Sequence, residues 1–173
     1  MSREAAATQG PGPLHITALG DREILMTRDF EAPRALVFEA WTRPELLERW
    51  LLGPPGWTMP VCEVDLRVGG AYRYLWRKGG TEMGVSGVYR EIVVPERIVC
   101  TETFDEAWYA GEALCTVELV ERGDRTTLRQ TVRYESREAR DGVLKSPMES
   151  GVAASYERLD EVLASSARDR RYS

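Results

Sequence analysis

The pattern of hydrophobic and polar residues divides the chain into three parts. An alternating run over Glu23–Phe30 predicts a strand, and residues 14–19 are a possible lead-in to it. Between residues 32 and 51, apolar positions recur along one side of two short helices. Short alternating runs then continue to residue 134, and a helical stripe closes the chain. This order predicts one α+β domain.

The two short helices carry recognisable start signals. Ala32-Pro33 is expected to open the first helix, because proline suits the first helical position. Thr42 and Glu45 form a T-x-x-E pattern, which is typical of a capping box and predicts the start of the second helix. The Gly-Pro-Pro-Gly run at 53–56 ends it.

The last helix has the strongest local signal. Ser146 and Glu149 form an S-x-x-E capping box with Pro147 between them, and the helix is expected to run to about Ser165. A polar lead-in over 136–145 is expected to add one or two helical turns. One face carries an apolar stripe: Met148, Val152, Tyr156, Leu159 and Leu163.

Six strands are predicted in the middle of the chain, at residues 60–67, 71–77, 83–92, 97–104, 113–121 and 126–134. A hairpin that pairs Glu121 with Thr126 gives one apolar face and one polar face. A second hairpin, which pairs Trp76 with Met83, does the same. Together the strands are predicted to place the following side chains on one apolar face: Tyr72, Tyr74, Trp76, Met83, Val85, Tyr89, Cys115, Val117, Leu119, Leu128, Gln130 and Val132.

Composition excludes several classes of protein. The 173 residues include 23 basic and 28 acidic side chains, a net charge of −5, which argues against a nucleic-acid binder. His15 is the only histidine, so neither a His-rich metal site nor a His-based triad is expected. The cysteines Cys62, Cys100 and Cys115 lack metal-binding or redox spacing and are expected to be free thiols in a reduced compartment. No cofactor is predicted.

The domain organisation is predicted to be simple. Residues 1–13 are expected to form a flexible N-terminal tail without the apolar region of a signal peptide, and residues 165–173 a polar C-terminal tail. Residues 14–164 are expected to form the single domain. No apolar run approaches the roughly 18 residues that a membrane span needs. The prediction is a cytoplasmic protein that binds neither membrane nor nucleic acid.

Five stretches resemble one known family. They are FEAPRALVFEAWTRPELLERW (30–50), PVCEVDLRVGGAYRY (60–74), GVYREIVVPERIV (87–99), TLRQTVRYESREARD (127–141) and MESGVAASYERLDEVL (148–163). Together they resemble the activator of heat-shock-protein-90 ATPase homologue-1-like domains of the START/SRPBCC superfamily. The resemblance implies a helix-grip fold, in which a curved antiparallel sheet is wrapped around a long C-terminal helix with a pocket between them.

The resemblance does not fix an activity, because members include ligand carriers, sequestering resistance proteins and aromatase/cyclase-type enzymes. The eukaryotic co-chaperone of the family has an additional N-terminal domain that contacts the chaperone, and this chain has a short Gly/Pro tail at that position. A chaperone partner is therefore not the first expectation. The preferred prediction is a domain that binds a hydrophobic or aromatic small molecule, rather than an enzyme.

A ligand pocket is predicted between the apolar sheet face and the last helix. Gly87, Gly151 and Ser155 are small enough to leave room there. The alternative for each lining residue is ordinary core packing. The predicted lining is Trp50, Trp57, Tyr72, Tyr74, Trp76, Val85, Tyr89, Cys115, Val117, Gln130, Val132, Met148, Val152 and Tyr156.

Several alternatives stay open at this level. The Gln130 amide either bonds a tyrosine or offers a polar contact to a ligand. The segment that carries Glu63, Asp65, Arg67 and Arg73 holds either an acid or base for catalysis or a strand-end cluster of ion pairs.

Three functions remain: a binding domain, an aromatase/cyclase- or hydrolase-type enzyme, or a protein-interaction module. A large internal space favours binding, and one with a buried ionisable group favours an enzyme. Trp108 and Tyr109 belong to a dimer edge, a hairpin tip or a flap over the pocket.

Overall fold

The computed structural model describes residues 13–106, 109 and 111–171. Eight strands and four helices occur within these residues, and their bounds follow in chain order. They are β1 His15–Leu19, β2 Glu23–Phe30, α1 Arg34–Thr42, α2 Pro44–Trp50, β3 Thr58–Val64, β4 Ala71–Lys78, β5 Thr81–Val93, β6 Arg97–Phe104, β7 Ala113–Arg122, β8 Arg125–Arg133, α3 Arg137–Lys145 and α4 Met148–Arg171.

All eight strands form one antiparallel sheet in the order β1-β2-β8-β7-β6-β5-β4-β3. The strands from β3 to β8 follow each other as a meander, and β2 joins at the far side of β8. The sheet is curved, and the long helix α4 lies on its concave side. The predicted α+β helix-grip architecture is confirmed.

Both predicted hairpin registers are confirmed. Val117 pairs with Gln130 and Leu119 with Leu128 between β7 and β8, while Tyr74 pairs with Val85 between β4 and β5. The turns are tighter than the predicted four-residue loops, because Arg122 pairs with Arg125 and Lys78 with Thr81. Gly79 and Gly123 make these turns possible, since their φ angles are +60° and +64°.

Helix α4 is held by the other helices and by a few long side chains. It packs against α1 and α2. Tyr156 contacts Phe30 of β2 edge to face, with the ring centroids 5.5 Å apart. Arg28 of β2 forms a two-pronged ion pair with Asp160, with both N–O distances at 2.8 Å. The helix is thus anchored along one side of the sheet.

The two predicted capping boxes are wrong. Thr42 ends α1, and its hydroxyl donates to the Phe38 carbonyl at 2.8 Å, while Arg43 caps α2. Ser146 is the C-cap of α3, and its hydroxyl donates to the Val143 carbonyl at 2.6 Å. In both cases the hydroxyl donates a hydrogen bond to a carbonyl at the end of the preceding helix, so it does not cap the helix that follows.

Other helix boundaries also differ from the prediction. Pro33 precedes α1 in an extended conformation and is its N-cap, not its first helical residue. The predicted polar lead-in forms α3, whose N-cap Ser136 accepts a hydrogen bond from the Ala139 amide at 3.0 Å. Helix α4 runs to Arg171 instead of about Ser165, since Ala and Arg at its end are good helix formers. None of the helices in the described residues is long and apolar enough to span a membrane.

Candidate functional site

A cavity of about 470 Å³ lies between the concave face of the sheet and helix α4. Aromatic and aliphatic side chains form most of its wall. All the residues of the predicted pocket line it except Trp50: Trp57, Tyr72, Tyr74, Trp76, Val85, Tyr89, Cys115, Val117, Gln130, Val132, Met148, Val152 and Tyr156. The period-two pattern of the strands is the reason that so many could be found in the sequence.

Trp50 is a correction to the predicted lining. It is fully buried at the end of α2, and its indole N–H donates to the Ala40 carbonyl at 2.9 Å. Its ring packs against Trp41 and Tyr156, at centroid distances of 5.0 and 6.1 Å, and these two rings line the cavity in its place. Trp50 is therefore part of the core behind the cavity wall.

A short chain of hydrogen bonds joins helix α4 to the sheet at the cavity wall. The Tyr156 hydroxyl of α4 donates to Gln130 Oε1 at 2.9 Å, and Gln130 Nε2 donates to Cys115 Sγ at 3.2 Å. Gln130 is thus bonded to a tyrosine, which is the structural alternative for this residue. Burial raises the pKa of Tyr156 well above its ordinary value, so the phenol stays neutral and remains a donor.

A stack of tyrosines covers the wall formed by β4 and β5. Tyr72 lies 5.0 Å from Tyr74 and 5.5 Å from Tyr89 between ring centroids. The Tyr72 hydroxyl donates to the Thr101 carbonyl at 2.6 Å. A Cβ at Gly87 would collide with this hydroxyl and carbonyl, so Gly87 makes room for Tyr72 and not for a guest.

The loop after α2 forms another part of the wall. Its carbonyl at Leu51 accepts a hydrogen bond from the Trp76 indole at 2.7 Å. The amide of Gly53 donates to Ser155 of α4 at 2.8 Å. Gly151 also faces this loop, and a Cβ there would lie 3.4 Å from Pro54 Cδ. The loop and the first turns of α4 thus meet through small residues at the cavity.

One acidic residue of the cavity wall was missed in the sequence. Glu102 of β6 lines the cavity, and burial raises the pKa of its carboxyl from 4.5 to about 7. The signal for it was present: Ile98, Cys100 and Phe104 occupy the same phase of this strand and also line the cavity. A charged residue in the apolar phase of a strand is the pattern that identifies it.

The charged residues that were candidates for catalysis in the sequence, Glu63, Asp65, Arg67 and Arg73, are not among the residues that line the cavity. Arg67 pairs with Asp65 at 3.0 Å, and Arg73 pairs with Asp105 at 2.6 Å. Glu63 is exposed opposite Arg73 on the outer face of the sheet. Asp65, Arg67 and Arg73 thus take part in surface ion pairs, as expected if this segment is not catalytic. His15 is exposed on the edge strand β1.

The thiols of Cys62 and Cys115 show no sign of nucleophilic activation. Burial and the nearby Glu48 raise the pKa of Cys62 to about 12, and the hydrogen bond to Cys100 together with burial raises that of Cys115. In residues 13–106, 109 and 111–171, no group of three or more His, Cys, Asp or Glu side chains is placed to hold a metal ion. Trp108 lies outside the described residues, while Tyr109 lines the cavity.

Comparison with known proteins gives one family match. The family described as Activator of Hsp90 ATPase homolog 1-like protein matches residues 31–164. No curated protein is significantly similar to the chain.

Solved structures share the fold. A crystal structure of a protein from Rhodobacter sphaeroides is 31% identical, covers 89% of this chain and 99% of that chain, and has a TM-score of 0.84. A protein from Mycobacterium smegmatis is 22% identical over 87% of this chain and 97% of its own, with a TM-score of 0.78. An HSP90 activator from Plasmodium falciparum is 25% identical over 65% of this chain and 72% of its own, with a TM-score of 0.51.

Proposed function

The chain belongs to the family of Activator of Hsp90 ATPase homolog 1-like proteins, and from this premise we propose that it binds a hydrophobic or aromatic small molecule between the sheet and helix α4. The single observation that carries the proposal is the cavity of about 470 Å³. Small-molecule sites have volumes of roughly 300 to 1,000 Å³ and are mostly apolar with a few placed polar groups. The three free cysteines support a reducing location, such as the cytoplasm.

The chemistry of the wall favours a flat or bulky apolar ligand. Tyr72, Tyr74 and Tyr89 present ring surfaces from the sheet, and Trp57 and Val152 contribute further apolar area. Aromatic rings offer large contact areas and favour offset or edge-on packing with another ring. Gln130 and Tyr156 already satisfy each other, so binding of an apolar body leaves neither of them without a partner.

The proposal is tested with N-phenyl-1-naphthylamine, a neutral dye whose fluorescence rises in apolar surroundings. We expect saturable binding with one dye per chain. Val152→Trp places an indole in the cavity and should weaken binding at least about tenfold, because the dye and the indole compete for the same volume. The matched control is Val94→Trp, since Val94 is 66% exposed on the surface.

Two results would contradict the binding proposal. One is the absence of saturable dye binding to a protein whose circular dichroism shows it folded. The other is equal loss of binding in Val152→Trp and Val94→Trp, which would place the dye outside the cavity. A thermal melt of each variant separates these results from a simple failure to fold.

A second candidate function is catalysis, and Glu102 is the observation that favours it. A carboxyl with a pKa of about 7 in a mostly apolar cavity can act as a general acid or base near neutral pH. Hydrolysis of 4-nitrophenyl acetate is a direct assay for a hydrolase. Turnover that follows a group titrating near pH 7 and is lost in Glu102→Gln would support this candidate; a rate equal to that of buffer counts against it.

A third candidate function is the regulation of a chaperone. It is supported by the fold that this chain shares with the Plasmodium falciparum HSP90 activator. No surface of the described residues is identified as a chaperone contact. Retention of purified Hsp90 on the immobilised chain, abolished by changes on the outer face of the sheet, would favour this candidate. Absence of retention would leave the small-molecule proposal as the working function.

A further inference from the structure

The cavity wall has a marked asymmetry of charge. Glu102 is acidic, while the described residues that line the cavity include no Lys, Arg or His. The remaining ionisable groups of the wall are phenols and thiols, which are acids as well. A negative charge on Glu102 therefore has no positive partner among the described residues of the wall.

The groups that face Glu102 do not compensate its charge. They come from β4, the loop after β6, β7 and the residue after β8, and they are Tyr72, Tyr109, Cys115 and Tyr134, with Cys100 on its own strand. Burial raises the pKa of Tyr72, Tyr109 and Tyr134, and the Cys100 hydrogen bond together with burial raises that of Cys115. All four stay neutral between pH 6 and 8.

Tyr72 is also occupied by another partner. Its hydroxyl donates to the Thr101 carbonyl at 2.6 Å, which turns that proton away from Glu102. Burial is the cause of the raised pKa of Glu102, with no charged neighbour contributing to it. A carboxylate in this position is stabilised most by a ligand that brings the missing positive charge.

We propose that Glu102 recognises the cationic head of an otherwise apolar ligand, such as a protonated amine. This inference rests on the proposed binding function and names the ligand class for the same cavity. The ammonium pairs with the carboxylate, and Tyr72 and Tyr134, whose pKa values Glu102 influences, line the same cavity. The faces of aromatic rings attract cations, and this attraction grows when the site is shielded from water.

Other ligand charges fit the wall less well. An anion would meet the like charge of Glu102 and no basic side chain. A neutral alcohol can accept a hydrogen bond from the protonated carboxyl or donate one to the ionised form, so its affinity should depend little on the state of Glu102. The three ligand types therefore predict different responses to pH, because a cation favours the ionised carboxyl, an anion favours the protonated carboxyl and a neutral alcohol has little preference.

The test compares three naphthyl probes with the same apolar body: 2-(1-naphthyl)ethylamine, 2-(1-naphthyl)ethanol and 1-naphthylacetate. Affinities are measured by isothermal titration calorimetry between pH 6 and pH 8.5. Alkyl ammonium groups have a pKa of about 10, so the amine stays charged throughout. At pH 8 we expect the amine to bind about tenfold more tightly than the alcohol.

The pH profile adds a signature of Glu102. With a pKa of about 7, the ionised fraction of this carboxyl falls from about nine-tenths at pH 8 to about one-tenth at pH 6. The affinity for the amine should therefore fall about tenfold over this range, while that for the alcohol should not fall. Glu102→Gln should abolish both the preference for the amine and its pH dependence.

Controls separate this inference from the proposed function. Glu63→Gln removes an exposed carboxylate from the outer face and should leave all three affinities unchanged. If the alcohol or the neutral dye binds but the amine gains no preference at pH 8, the role of Glu102 is overturned and the cavity still binds apolar ligands. Preference for 1-naphthylacetate overturns it as well.

Failure of all three probes and of the dye refutes the binding function, and the role of Glu102 with it. The wild-type pH profile keeps the inference testable even if Glu102→Gln does not fold.

Discussion

Glu102 shows how a single side chain is changed by its surroundings. Its strand neighbours in the same phase are Ile98, Cys100 and Phe104, so the pleat turns the carboxyl toward the apolar wall instead of the solvent. Removal of water disfavours the charged form, and the pKa rises to about 7. The same carboxylate on the outer face, as at Glu63, is exposed to solvent.

This shift predicts how stability depends on pH. The Glu102 carboxyl titrates near 4.5 in the unfolded chain and near 7 in the folded protein. Between these values the folded state holds a proton that the unfolded state has lost, so the free energy of unfolding falls as the pH rises from about 4.5 to about 7, and the loss is complete above pH 7. The full loss is up to about 3 kcal/mol, at 1.36 kcal/mol per pKa unit.

Urea unfolding at pH 5, 6, 7 and 8 measures this loss. Glu102→Gln should be less sensitive to pH in this range and more stable than the wild type at pH 8, because its amide cannot ionise. Asp105 and Asp141 have lowered pKa values and are ionised throughout this range, so they do not contribute to the slope. Identical slopes for wild type and variant would show that Glu102 is not the source.

Gln130 and Trp50 mark the limits of prediction at the residue scale. The register of β7 and β8 turned Gln130 toward the cavity, and this followed from alternation in the sequence. The position of Trp50 just before the Gly-Pro-Pro-Gly run at 53–56 predicts that it lies in the cavity wall. Its burial depends on Trp41 and Tyr156, which come from two other helices, and helical spacing does not reveal such contacts.

At the scale of elements, helix α4 is attached to the sheet by one strong ion pair. The Arg28 side chain is 9% exposed and Asp160 is 30% exposed. The guanidinium also lies 4.7 Å from the centre of the Phe30 ring. A guanidinium at this depth depends on its carboxylate partner, since its loss leaves a charge that is mostly shielded from water.

Asp160→Asn tests this attachment. The amide keeps the shape of the carboxylate but removes its charge, so we expect a loss of about 2 kcal/mol in the free energy of unfolding. This is less than the 3–5 kcal/mol typical of a fully buried pair, because Asp160 is partly exposed. Glu157→Gln, an exposed change on the same helix, should have little effect. Equal losses in urea unfolding would refute the attachment.

Gly151 links the stability of α4 to the cavity. A Cβ at this position would lie 3.4 Å from Pro54 Cδ, an ordinary contact, so alanine fits. Gly151→Ala should raise the free energy of unfolding by up to about 1 kcal/mol, because alanine favours the helix. It should also weaken binding of N-phenyl-1-naphthylamine slightly, since the methyl group enters the cavity wall. Gly142→Ala, in α3, is the matched control for helix propensity.

At the scale of the whole molecule, the cavity exists because α4 is held away from the sheet. The helix is packed on α1 and α2 and attached at Arg28–Asp160 and Tyr156–Gln130. Beside these attachments, the helix and the sheet leave a cavity of about 470 Å³ between them. An apolar space of this size gains free energy when a ligand fills it, because its lining side chains gain contacts.

Native mass spectrometry of the freshly purified protein tests this directly. We expect a stoichiometric adduct above the 19.5 kDa chain, which denaturation releases for chemical identification. Val152→Trp, purified in the same way, should carry less of it, whereas Val94→Trp should carry the same amount. An adduct that persists equally in both variants would be bound outside the cavity. The same spectra report whether the chain is a monomer or a dimer.

Local patterns in the sequence predict the strands, the positions and registers of the two hairpins and the side chains on the concave face, but not the two-residue length of the hairpin turns. These features depend on local rules: alternation with a period of two, glycines at positive φ, and helical stripes. Thr42 and Ser146 show that even a local signal fails when a preceding helix uses the same hydroxyl. The cavity between the apolar faces, and the lack of a cation beside Glu102 among the described residues that line it, follow from the tertiary structure, because distances between elements far apart in the chain set both.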